Sequence, residues 1–239
     1  MSSPSQPSPS AEVACWSCGV ARPLEAPLCP ACGKVQPAAP HRAGETRVAD
    51  KFGMLGLPRA FELDEASLSD KFRALSRKLH PDRLARATAQ ERRFALEQTT
   101  RLNDAQRTLR EPARRAEHLL ELRGIHLAQD RDARDERQGG RGLPVAQPVT
   151  MSMEFLEEMM EEREALLEAR HGPDAQAEMA KLAEKMTHKR AATLARVAEM
   201  LGALDTPAAA PIEAVAEQIA RLRYYDRYLD EAQGRGTEG

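Results

Sequence analysis

Hydrophobic positions along this chain recur at helical spacings almost throughout. Leu68, Phe72, Leu75 and Leu79 follow one another at steps of four, three and four, which places them on one stripe of a helix. On an ideal wheel Arg73 and Arg77 lie opposite that stripe, and Lys71 and Lys78 flank it. Asp64 is placed to cap this helix, with Glu65 in its first turn. A second pattern follows over Phe94, Gln98, Leu102, Ala105 and Leu109. Pro112 then suits the first turn of a third, short helix. Beyond residue 150 the pattern predicts three more helices, over about 151–170, 174–203 and 212–233. Gly172-Pro173 and the run from Pro207 to Pro211 separate them. Met179, Leu182, Met186, Leu194, Val197 and Leu201 give the middle one a core face; Val215, Ile219, Leu222 and Leu229 give the last one its own. Three amphipathic helices with short links pack as an antiparallel bundle. The first of them carries two stripes: Phe155, Met159 and Leu166, and, rotated by about 100°, Leu156, Met160 and Leu167. Tyr224 and Tyr228 fall away from the stripe of the last helix. A wide buried face accounts for the surplus, and so does an exposed partner surface; periodicity does not choose between them.

Composition narrows the class. Hydrophobic residues make up 41% of the 239, but aromatics only 4%, so the cores are expected to be aliphatic and Met-rich. Runs rich in Val, Ile and Tyr are missing, so almost no sheet is expected. A net charge of −2 gives no global case for nucleic acid or membrane binding. No apolar run approaches the roughly 18 residues of a membrane span. Met1 to Ser10 is Ser/Pro-rich without an apolar core, and the first basic residue is Arg22. A bacterial-type cytoplasm is therefore expected, rather than export or a mitochondrial matrix.

All four cysteines lie in one short segment, as Cys15-x-x-Cys18 and Cys29-x-x-Cys32, each pair followed by a glycine, Gly19 or Gly33. This is zinc-ribbon spacing. Each pair grips a metal on a tight turn, and the glycine supplies the left-handed backbone that turns amides toward sulfur. The segment is too short to hold a core without such a staple. Two disulfides need an oxidising compartment, which nothing here indicates. A redox pair of the thioredoxin kind needs a βαβ context, which is missing. Structural zinc held by Cys15, Cys18, Cys29 and Cys32 is the expectation.

The first helix ends in His80-Pro81-Asp82. Proline stops the helix and moves His80 out of the helical region. Two helices packed through apolar stripes, with this loop at one end, resemble a J-domain. The resemblance extends to the HscB family, the J-protein co-chaperones of iron–sulfur cluster assembly. Phe52-Gly53-Met54-Leu55-Gly56-Leu57-Pro58 with Phe61-Glu62-Leu63-Asp64 resembles that family's start. Arg114-Arg115-Ala116-Glu117-His118-Leu119-Leu120 resembles the end of its J-domain. Phe155-Leu156-Glu157-Glu158 and Arg221-Leu222-Arg223-Tyr224-Tyr225-Asp226 resemble two stretches of its C-terminal helical domain. Some members, the animal ones included, carry a similar four-cysteine module.

The expected architecture is all-α: a tail (1–12), a zinc-knuckle module (13–36), a linker (37–47), a J-domain (48–127), a flexible connection (128–149) and a three-helix bundle (150–233). The resemblance implies that His80, Pro81 and Asp82 dock on an Hsp70-class chaperone of the HscA kind, and Lys71, Arg73, Arg77, Lys78 and Arg83 are the cations that attract its acidic surface. It also implies that an IscU-like cluster scaffold binds Leu156, Met160 and Tyr224, with Glu161, Glu164 and Arg223 as polar neighbours. Glu157 departs from the apolar residue expected there. No nucleophile–base pair or phosphate-cradling loop is visible, so neither catalysis nor nucleotide binding by the chain itself is expected. Two rivals are a general J-protein that delivers unfolded clients, and a nucleic-acid adaptor built on the cysteine module. The second is weakened because Arg22 and Lys34 are the only basic residues of 13–36. Self-association through the bundle or the cysteine module is left open.

Overall fold

The computed structural model describes residues 12–38, 48–85, 87–127, 149–204, 206 and 210–235. The expected tail and both expected linkers lie almost wholly outside these residues. The chain forms two compact units, one running through Gly124 and one containing the last three helices. The all-α expectation holds: among the described residues the only sheet is a two-stranded antiparallel one, β1 (Glu12–Ala14) with β2 (Ala21–Pro23), Val13 opposite Arg22.

In the first unit, α1 (Lys51–Leu55) leads to α2 (Glu65–Leu79), a 3₁₀ turn (Pro81–Leu84), α3 (Ala89–Arg110) and α4 (Pro112–Glu121). Each helix begins where its sequence says. Asp64 accepts hydrogen bonds from the amides of Ala66 and Ser67, and Thr88 with Glu91 forms a reciprocal capping box at α3. Pro112 occupies the first turn of α4. The α3 stripe is buried at Gln98, Leu102, Ala105 and Leu109, with Phe94 half-buried. Full burial of Leu102, Leu109 and Leu120 contributes about 1.5–3 kcal/mol each.

Two buried polar residues of α4 tie the start of the first unit's helical part to its end. His118 accepts a hydrogen bond at Nε2 from the amide of Lys51 (3.1 Å), so its Nδ1–H donates to Glu121 (3.1 Å). Arg115 donates to the carbonyl of Phe61 (2.9 Å) and lies over that ring. The motifs Phe61-Glu62-Leu63-Asp64 and Arg114 to Leu120 are thus one interlocked feature. Gly53 has a similar reason: a Cβ there would come 2.8 Å from the Asp50 carboxylate that caps α1 and pairs with Arg59.

The second unit consists of α5 (Met153–His171), α6 (Ala175–Gly202) and α7 (Ile212–Ala232). Lys189 reaches Glu158 while Lys185 reaches Glu162, so α6 runs antiparallel to α5. Ser152 lies near Arg221 and Arg163 near Glu231, so α7 runs parallel to α5. This is the predicted up-down-up bundle. Its core holds Phe155, Leu166, Met186, Val197, Ile219 and Leu222.

Candidate functional site

Three groups of candidate residues occupy distinct surfaces. The first is the cysteine cluster. Gly19 and Gly33 adopt φ of 74° and 72°, and each donates its amide to the carbonyl of the first cysteine of its pair. The two knuckles therefore repeat one geometry. The sulfurs of Cys15 and Cys32, and of Cys18 and Cys29, lie 3.7 Å apart, and all four are within 4.8 Å of one another. A tetrahedral ion with metal–sulfur bonds near 2.3 Å requires edges of about 3.8 Å, so the donor set fits a single metal ion. The thiols are free. Their acidities conflict: desolvation pushes Cys15 up, but the amides of Cys18 and Ser17 and two neighbouring thiols bring it down to about 6. For Cys18 the amide of Val20 lowers the value, but desolvation and the three neighbouring sulfurs push it up to about 12. Four thiolates at this spacing need a cation, and a divalent ion removes the conflict.

The cluster is packed onto α3 of the first unit, a contact that no local pattern in the sequence announces. Gln36 is fully buried; its Nε2 donates to Cys15 Sγ (3.3 Å), and its backbone carbonyl accepts from Nε2 of Gln98 on α3 (2.9 Å). Glu25 pairs with Arg101 at 2.5 Å and Lys34 with Glu91 at 2.8 Å. Trp16 packs edge-on to Phe94, with ring centroids 5.9 Å apart. Arg22 is buried and holds the carbonyls of Pro23, Leu24 and Ala26. Arg22 is thus spent inside the module, while Lys34 pairs with Glu91, which further weakens the nucleic-acid reading.

The second group is the His80-Pro81-Asp82 end of α2. His80 has extended backbone (φ −61°, ψ 136°), as the following proline requires, and caps both α2 and the 3₁₀ turn. Its Nδ1 accepts from the Asp82 amide (3.3 Å), which leaves Nε2 as the outward nitrogen. The side chains of His80 and Asp82 are 57% and 90% exposed, far more than structural caps need. Arg73, Arg77, Lys78 and Arg83 are exposed beside them. Arg73 lies 3.6 Å from Asp70, and Lys71 is half-buried, donating to the Gly56 carbonyl (2.6 Å). Within the stripe Leu68 and Leu79 are buried, whereas Phe72 and Leu75 stay half-exposed.

The third group lies on the bundle. The stripe Phe155, Met159, Leu166 is buried. Of the other stripe, Leu156 is half-buried, while Met160 and Leu167 are 65% and 43% exposed. The two stripes therefore divide between core and surface, which periodicity left open. Leu156, Met160 and Glu164 follow at i+4 along one ridge of α5, with Glu161 and Glu157 exposed next to it. Tyr224 is half-buried and meets Phe155 edge-on at 5.5 Å, under the guanidinium of Arg227. Arg223 is half-buried on the same helix. Tyr228, in contrast, turns inward: it is 4% exposed, its hydroxyl has no partner, and burial, then the charge of Glu162, pushes it up to about 12. Glu162 was also missed. It is a buried carboxylate between Lys185 (2.7 Å) and Lys189 (2.6 Å). Its position in the gap of the Phe155–Met159–Leu166 stripe was the signal.

Residues 151–233 match the HSCB C-terminal oligomerisation domain. The chain is 34% identical to the co-chaperone protein HscB homolog of Shewanella amazonensis over 173 residues, 72% of this chain and 88% of the relative. It is also 34% identical to the homolog of Vibrio cholerae, covering 76% of this chain and 94% of the relative. Among solved structures, chaperone HscB from Vibrio cholerae superposes with a TM-score of 0.62 at 33% identity, covering 77% of this chain and 95% of that one. The human co-chaperone protein HscB gives 0.69 at 25% identity, covering 93% and 98%.

Proposed function

The chain belongs to the HscB family of co-chaperones, and from that premise we propose that it couples an iron–sulfur cluster scaffold to a dedicated Hsp70. The bundle captures the scaffold through Leu156, Met160 and Tyr224, with Glu161, Glu164 and Arg223 around them. The J-domain presents His80, Pro81 and Asp82 to the chaperone and favours its hydrolysis-competent state. To shift that equilibrium it must bind the two chaperone states with different affinity. Lys71, Arg73, Arg77, Lys78 and Arg83 supply the long-range attraction, which acts chiefly on the association rate and its salt dependence. Cys15, Cys18, Cys29 and Cys32 hold zinc, a tetrahedral ion without redox liability, in a structural role. The compartment is a bacterial-type cytoplasm; no helix among the described residues is long and apolar enough to cross a membrane.

The observation that carries this reading is the exposure of two unlike surfaces on one chain: an uncovered His80–Asp82 tip at the end of a basic helix, and an apolar ridge, Met160 and Leu167, left outside a core that is already complete. A general J-protein needs a surface for extended peptides, and binding assays separate the two. Titration with folded scaffold and with a panel of unfolded peptides should give saturable binding to the scaffold alone. Binding to the peptides with equal affinity would support the general J-protein instead.

A further inference from the structure

A cleft of about 960 Å³ lies between the cysteine module and the J-domain. One wall comes from the module, at Ala26, Pro27, Leu28 and Pro30. The other comes from α1, α2 and the 3₁₀ turn, at Met54, Leu55, Leu75 and Leu84. Its size is that of a ligand-binding cleft, and its apolar lining is half-open to solvent at Leu28, Leu75 and Leu84. The cleft accounts for the half-exposure of Leu75 on the α2 stripe. Lys71, Lys78 and Arg83 also line it. Among the described residues Lys78 and Arg83 make no ion pair, and the single carboxylate in the lining, Glu91, is neutralised by Lys34 at 2.8 Å. The lining is thus mostly apolar; its cations are Lys71, Lys78 and Arg83, and Cys29 brings one sulfur of the metal cluster to the module wall. Lys78 and Arg83 immediately flank His80-Pro81-Asp82 in the chain, so the cleft continues the face already assigned to the chaperone.

We propose that this cleft receives an acidic, apolar-bearing segment of the Hsp70 partner, so that the metal module forms one wall of the docking site. The charge complementarity and the continuity with the His80–Asp82 tip select that partner. The module is positioned for the task by Gln36–Gln98, Glu25–Arg101 and Trp16–Phe94, which fix its wall against α3. The inference rests on the J-domain reading, and the following test separates the two.

Leu28→Glu and Ala26→Glu each place an anion on the module wall, away from the His80 tip. Val20→Glu, on an exposed module position outside the cleft, is the control. Binding of the full-length, zinc-loaded chain to the ATP-bound Hsp70 is measured at low salt, with metal content and Trp16 fluorescence confirming that the module is intact. The cleft variants should bind about tenfold more weakly, through like-charge repulsion. Half-maximal ATPase stimulation should shift to correspondingly higher concentration, and maximal stimulation should persist because His80 is retained. Val20→Glu should match the wild type. Wild-type affinity in both cleft variants, with stimulation still dependent on His80, overturns the cleft and leaves the J-domain reading standing. Stimulation that survives His80→Gln overturns that reading instead. Weaker scaffold binding with unchanged Hsp70 affinity would assign the cleft to the scaffold and also overturn the proposal.

Discussion

Glu162→Gln isolates one charge within the bundle without changing its shape. The Glu162 side chain is 7% exposed and accepts from Lys185 and Lys189, while Lys189 also reaches Glu158 at 2.7 Å. Burial alone would raise this carboxyl; the two ammonium groups more than offset it and hold it below 4.5. Breaking a fully buried ion pair costs about 3–5 kcal/mol. Here Lys185 is 56% exposed and can turn to water, and Lys189 keeps Glu158. The loss should therefore fall nearer that of a charge-assisted hydrogen bond, about 2 kcal/mol. For a unit of this size that lowers Tm by roughly 8–16 °C. The chain offers separate probes. Its three tyrosines all lie on α7 and its one tryptophan lies in the cysteine module, so near-ultraviolet tyrosine dichroism follows the bundle alone. The pH dependence follows from the sign of the shift. A carboxyl depressed in the folded state contributes stability that is present above its unfolded value and is lost as pH falls through the folded one. The gap between wild type and Glu162→Gln should be full at pH 7 and close on acidification below 4.5. Equal Tm values at pH 7, or a gap that stays constant down to acid unfolding, would refute the electrostatic account.

Other outcomes follow from the remaining surfaces. His80→Gln should abolish stimulation of Hsp70 ATP hydrolysis while helicity and scaffold affinity stay at wild-type values; loss of helicity would contradict a purely interfacial role. Leu156→Ala combined with Tyr224→Ala should weaken scaffold binding by about 2–3 kcal/mol, on the order of 30- to 150-fold, without altering basal Hsp70 stimulation. Unchanged affinity by calorimetry would move the site elsewhere. Chelation of the metal should unfold the module and shift Trp16 emission, because Trp16 is held by the Val35 carbonyl at 2.7 Å and by Phe94, while the tyrosine dichroism of the bundle stays unchanged. Metal analysis should return one zinc per chain; a Trp16 signal indifferent to chelator would count against metal-dependent folding of the module.

Features governed by local rules were legible in the sequence. Asp64, Pro112, Gly19 and Gly33 each do what their residue types dictate, and the three bundle helices begin and end within about two residues of their expected bounds. Contacts that need a distant partner were not legible. Gln98 was visible as an amide on an apolar stripe, but its partner, the Gln36 carbonyl, lies 62 residues away. Glu25 carries no local sign of its buried pairing with Arg101, 76 residues away. On α7 the buried seam runs Ile219, Leu222, Tyr225, Tyr228, in steps of three that each fall short of a turn by about 60°. The seam thus slides around the helix and takes in Tyr228, which a fixed stripe leaves outside. The division of the two α5 stripes between core and surface likewise depends on where α6 and α7 pack, a tertiary fact that periodicity does not contain.

On the proposed function, one chain delivers a specific folded client to a specific chaperone. Single-turnover ATP hydrolysis by each Hsp70-class protein of the organism, with this protein added and with or without the cluster scaffold, tests it most directly. One Hsp70 should be stimulated, in a manner that depends on His80 and rises synergistically when the scaffold is present. Stimulation that ignores the scaffold but responds to arbitrary unfolded peptides would contradict that function.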